Sequence, residues 1–173
     1  MDSALINDIG LFVLRASVAY VYLHGAWMIA GTAERRRLTA ERSTVLLNNT
    51  SLAQSIPIGR LLGAGAASFM VIGSMALLIG FGTRIGAVLL IVFTIPGIIV
   101  HLRELLQAVE LVDKVAAHSR GEPADILAKL RWSAYAGHRS SANKNYALIG
   151  TALFLLLCND PNGQLSLSVA LGI

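Results

Sequence analysis

Charge is what this chain has least of. Only 14% of its 173 residues are Asp, Glu, Lys or Arg, against about a quarter in soluble domains. Fifty-five per cent are hydrophobic, and the mean hydropathy is +0.65. That balance excludes an ordinary soluble globule and points to a membrane protein. Cysteine is nearly absent. Cys158 stands alone, so the chain itself can build no internal disulfide, no CxxC dithiol and no cysteine-rich metal site. The apolar segments contain no Asp or Glu, which leaves them no carboxylate pair and no acidic proton relay. No phosphate loop, catalytic triad or zinc spacing occurs. The opening "MDSALINDIG" lacks the Lys or Arg that begins a signal peptide, and the apolar run after it is too long for a signal core. The first helix is therefore expected to remain in the protein.

What the chain does have is long apolar runs. Crossing the hydrocarbon takes roughly 20 apolar residues as a helix, and four segments qualify or come close. They are 9–30, 61–81, 85–102 and the shorter "YALIGTALFLLLC" at 146–158. The expected fold is all-α: one polytopic membrane domain over residues 1–173, a four-helix transmembrane bundle. The glycine-rich "GFGTR" at 80–84 reads as a tight turn between antiparallel helices. Gly63, Ala67 and Ser74 share one face of the second helix and permit close helix contact. Pro96–Gly97 in the third frees the carbonyl of Val92 and is a place for a kink.

The positive charges are unevenly placed. Twelve of the fourteen Lys and Arg lie in the segments 31–60 and 103–145, and Arg84 stands alone in the turn between them. The pI near 9.6 thus reads as a topology signal, not a nucleic-acid footprint, and no nucleic-acid partner is expected. With four spans, the positive-inside rule puts both long loops in the cytoplasm and both termini outside. The third loop is itself patterned. "LRELLQAVELVDKVAAH" keeps helical apolar spacing, so the third helix continues past the membrane or turns onto its surface. "RGEP" then breaks the pattern. The following "PADILAKLRWSAYAG" mixes Ile, Leu, Trp and Tyr with Lys and Arg as interfacial helices do. Amphipathic cytoplasmic helices between the third and fourth spans are expected, as a cap over the bundle or a surface for another subunit.

Two polar residues interrupt the first span. Arg15 and Tyr22 are seven apart and share a face, whereas Arg15 and His24 are nine apart and point roughly opposite ways. His24 shares its face with Tyr20 and Trp27. Arg15 lies about 9 Å into the helix, within snorkelling reach of the surface. It reads either as an anchor to headgroups or neighbouring carbonyls, or as a clamp for an anionic ligand. His24 and His101 fall at similar depth on different helices. Such a pair can ligate haem or chlorophyll, or bind a quinone carbonyl; hydrogen bonding to a neighbouring helix is the plainer reading. His118 and His138 read as solvent-facing loop residues, and no metal ligand set is expected.

Three patches together resemble the DoxX family of small bacterial membrane proteins: "LRASVAYVYLHGAWMIAG" (14–31), "GSMALLIGFGTRIGAVLLIVF" (73–93) and "NYALIGTALFLLLCNDPNGQLSLS" (145–168). The resemblance implies a four-helix bundle in the bacterial inner membrane and draws attention to Arg15, His24, Gly25, Thr83 and Arg84. It also implies redox company. Some members look like scaffolds that gather defence enzymes, and the related DoxD proteins are subunits of a thiosulfate:quinone oxidoreductase. This chain departs from the pattern at Ser68 or Phe69, at Lys144–Asn145 and at Ser168, where many members carry an acidic residue. The expected function is a non-catalytic accessory or scaffold subunit of a larger redox or energy-converting membrane complex. Its expected partners are lipid and other subunits. The alternatives are a quinone-interacting oxidoreductase subunit using Arg15, Tyr20 and His24, and a haem- or chlorophyll-binding subunit.

Overall fold

A computed structural model describes residues 3–47, 56–118, 124–158 and 172. Among these residues the chain is all-helical: α1 (Ser3–Ala30), α2 (Ala33–Ser43), α3 (Ile56–Ile79), α4 (Thr83–His118) and α5 (Ala124–Leu157), with a short 3₁₀ turn at Thr44–Leu47. Three helices are long and apolar enough to cross a membrane, in the stretches Leu5–Ala30, Ile58–Ile79 and Thr83–Ala117. Apolar side chains such as Val13, Ile72, Val88, Ile95 and Phe154 are exposed on the bundle's outer surface. A soluble fold would hide them; lipid accepts them.

Sequential helices pack beside one another. α1 lies against α3, α3 against α4, and α4 most extensively against α5. The α3–α4 turn needs glycine twice, because Gly80 and Gly82 hold φ of 73° and 65°, a region that costs a side-chain-bearing residue. Just beyond it the two backbones nearly touch. A Cβ on Gly86 would stand 2.8 Å from the Gly73 carbonyl oxygen and 2.9 Å from Ala76 Cβ, so this crossing exists because neither glycine has a side chain. The buried core, including Ala19, Tyr22, Leu77, Ala87, Leu90, Ala152 and Leu155, joins α1, α3, α4 and α5.

Helix α2 is where the structure departs first from the sequence reading, which treats 31–60 as a loop. Thr32 caps α2: its side-chain oxygen accepts a hydrogen bond from the Arg35 backbone N–H at 3.2 Å, and Glu34 sits in the first turn where the helix dipole favours it. α2 lies on the start of α3, with Ala40 over Gly59 and Thr39 over Gly63. The small face containing Gly63 therefore receives α2.

The second departure concerns 124–145; the continuation of α4 through 103–118 is one of the two courses its periodicity allows. Residues 103–118 continue α4 without interruption through Pro96, and 124–145 belong to the same helix as the apolar run 146–158. There is no break between an amphipathic helix and a last span. Gly137 costs a helix only about 1 kcal/mol, and packing of α5 along α4 outweighs it. At 36 and 34 residues, α4 and α5 run about 54 Å and 51 Å. They extend past the end of α1 as an antiparallel pair, joined near the tip by Arg131 and Asp113, 3.5 Å apart. The "RGEP" break, both chain ends and the last part of the third patch lie outside the described residues.

The Gly73–Gly86 contact is backbone against backbone, so the helices must separate to admit a side chain. Gly86→Val should lower bundle stability by about 1–3 kcal/mol, seen as an earlier loss of the monodisperse species on heating in detergent. Gly150→Ala, at a position with nothing within 4 Å, should leave it nearly unchanged.

Candidate functional site

The first helix separates its polar residues as helical phase requires. Arg15 is 0% exposed and Tyr22 is buried, while Tyr20, His24 and Trp27 all lie on the exposed side. Arg15 is thus inside the bundle and not at a lipid-facing surface. A charge on α1 is better solvated by protein than by hydrocarbon, which is why it turns inward. Ser74 and Thr83 are also buried. Tyr22 donates its hydroxyl hydrogen to Thr94 Oγ1 at 2.5 Å, and Thr94 in turn donates to the Leu90 carbonyl at 2.5 Å. That chain ties α1 to α4 and satisfies both hydroxyls within the apolar core. Phe93 meets the Tyr22 ring edge-on.

The other stripe is surface. His24 stacks on Tyr20, centroids 6.2 Å apart, and Trp27 packs over Gly31 at the end of α1. Arg84 donates to the Cys158 carbonyl at 3.1 Å, capping the last turn of α5, where a cation complements the helix dipole. None of these groups converges with His101. His24 finds its ring partner on its own helix and His101 finds another histidine.

That partner is His138. On the antiparallel α4–α5 pair the two rings lie 6.0 Å apart, and Glu104 sits between them. His101 Nδ1 is 3.8 Å and His138 Nδ1 is 3.6 Å from the same Glu104 oxygen, Oε2. Arg42 reaches the carboxylate from α2. Its Nε binds Oε1 and its Nη2 donates to Oε2 at 2.6 Å, a two-pronged pairing that suits the planar guanidinium. These hydrogen bonds raise the Arg42 pKa further above its ordinary value. Glu104 is only 12% exposed, so three helices have folded around one carboxylate. The sequence reading places His138 in solvent and misses this cluster. The one signal available was His-x-x-Glu at 101–104, which puts both groups on one face of α4; nothing in the spacing indicates His138.

Two cavities adjoin this end of the bundle. One, about 470 Å³, is walled by Leu61, Leu62, Phe69, Val92, Phe93 and Pro96, with Arg42 and His101 at its rim. Gly97 lines it beside Pro96. The other, about 590 Å³, lies between α1, α2 and α3 and carries Arg36, Arg37 and Arg60 beside Ala64 and Ala67. An apolar cavity with a polar rim suits an amphiphile: the tail sits against the walls and the head meets the charges. No family model, no curated protein and no solved structure matches this chain.

Proposed function

We propose that this protein is a DoxX-like integral membrane subunit that crosses the bilayer with four helices and holds a partner protein on its α4–α5 extension. The observation that carries the reading is the surface of that extension. About 20 residues of α4 fill a hydrocarbon core of about 30 Å, and the rest, with the first half of α5, emerges as a two-helix stalk. Two helices cannot bury each other fully. Leu105 and Val112 are covered, but Leu106, Leu111, Ile126, Leu130 and Trp132 are exposed. Trp132 and Tyr135 stack there at 5.9 Å. Exposed aromatic and aliphatic groups beyond the membrane, rimmed by charge, are what a protein interface presents.

On this reading the apolar run 146–158 is the last crossing. It covers only about 20 Å, and the residues before it in the same helix complete the span. The arginine-rich end faces the cytoplasm by the positive-inside rule, and Arg36, Arg37 and Arg60 meet anionic headgroups there. The complex served is of the redox or energy-converting kind, on the strength of the resemblance in 14–31, 73–93 and 145–168.

The second reading, a quinone-interacting subunit, is favoured by the 470 Å³ cavity. It moves the polar contacts from Arg15, Tyr20 and His24 to Arg42 and His101. Ligation of haem or chlorophyll by His24 and His101 together has no such support, since each histidine has a different neighbour.

Purified in a mild detergent, the subunit should co-migrate with its partner in native mass spectrometry. Leu130→Asp with Trp132→Ala should release that partner while leaving the detergent-solubilised chain folded. A lone chain under the gentlest extraction, or a complex indifferent to both changes, would overturn the docking reading. For the quinone reading, Arg42→Ala and His101→Ala should each weaken binding of a quinone analogue severalfold. His24→Ala should not, and equal effects of all three would count against the cavity.

A further inference from the structure

We propose that His101, Glu104 and His138 form a binding site for a divalent first-row transition metal ion where α4 and α5 leave the bundle. Their ligand atoms, two imidazole nitrogens and a carboxylate oxygen, all lie within 4.8 Å of one another. Both Nδ1 atoms face Glu104 Oε2 at 3.6 Å and 3.8 Å. Those separations are too long for hydrogen bonds. They are close to the roughly 3.4 Å between neighbouring ligands around a tetrahedral ion with bonds of about 2.0–2.2 Å. Small side-chain rotations close the remaining difference.

An independent observation points the same way. His101 Nδ1 is buried and makes no hydrogen bond among the described residues. Such a nitrogen is costly to leave unsatisfied, and a metal ion satisfies it by accepting its lone pair. The ligand set decides the class of ion. Two imidazoles with one carboxylate suit zinc, iron or manganese, whereas magnesium and calcium prefer all-oxygen sites. Three protein ligands leave a further position for water or an exogenous group, and the 470 Å³ cavity that His101 and Arg42 line gives access.

Arg42 sets the strength of the site. Its Nη2 holds Oε2 at 2.6 Å, so the ion must take that oxygen from the guanidinium while Nε keeps Oε1. Lys144 adds a second positive charge acting on His101. Metal and guanidinium therefore compete for one oxygen. Ion binding would pin α4 to α5 and loosen α2, coupling the arginine-rich end of the bundle to metal supply.

The test uses the full chain in detergent, purified without a histidine tag and stripped with a chelator. Titration with Co²⁺ should give one bound ion per chain and a visible d–d absorption, both reversed by Zn²⁺. His101→Ala, His138→Ala and Glu104→Gln should each weaken binding by about tenfold or more, the scale on which even outer-partner losses act. His138→Cys keeps a ligand and should retain binding, which separates ligand loss from misfolding. Arg42→Gln removes the competitor and should tighten binding severalfold. Absence of stoichiometric binding would overturn the proposal. So would an affinity unmoved by the ligand variants, or lowered as much by His24→Ala at the exposed stripe.

Discussion

Hydrocarbon cannot hydrogen-bond a peptide group, so a chain that enters it must pair its backbone internally, and a chain built of helices must stay helical until it leaves. That constraint sets the form of this protein. α1 and α3 have lengths matched to a bilayer, whereas α4 and α5, at 36 and 34 residues, are longer than one crossing needs. Their surplus length is paired antiparallel, and the pairing places Glu104 and His138 beside each other at the level where α2 folds back over α3. The pairing of two helices longer than one crossing needs produces the polar cluster and, on the reading proposed above, the stalk.

The polar groups divide accordingly. Inside the bundle Tyr22 is satisfied through Thr94 to Leu90, and Arg15 is turned away from lipid. A hydroxyl chain costs little in an apolar core because each hydrogen has an acceptor. At the stalk base the charges are full ones, and a half-buried carboxylate needs company. Glu104 has a guanidinium and two imidazoles around it, drawn from α2, α4 and α5. A mixed cluster of that kind costs less near water, where the ions are not wholly desolvated. On the reading proposed above, the membrane boundary supplies that setting.

Much of the fold is legible in the residues. Apolar runs mark α1, α3 and α4, "GFGTR" marks the turn that joins the last two, and the periodicity of 102–115 shows α4 running on. What escapes is tertiary. Gly137 and the polar stretch around Lys144 look like a boundary, yet packing along α4 carries α5 through both. Helix α2 has its Thr32 cap in plain view, but its charge hides it from any search for apolar periods. The site is the least legible part. Phase analysis separates Arg15 from His24 correctly because both lie on one helix. His101 and His138 are 37 residues apart on different helices, and only the register of α4 against α5 brings them together. No local pattern encodes that register.

If α4 and α5 leave the bilayer as a pair, thiol accessibility will report it. With Cys158 replaced by Ser, single cysteines at Val92, Leu111, Leu130 and Leu153 occupy positions that the protein itself leaves similarly exposed, at 50%, 63%, 52% and 41%. Only lipid can then distinguish them. In reconstituted liposomes opened to both faces, a membrane-impermeant maleimide should label positions 111 and 130 rapidly and spare 92 and 153. Protection of 111 and 130 to the same degree as 92 would place the stalk inside or flat against the membrane and contradict the account.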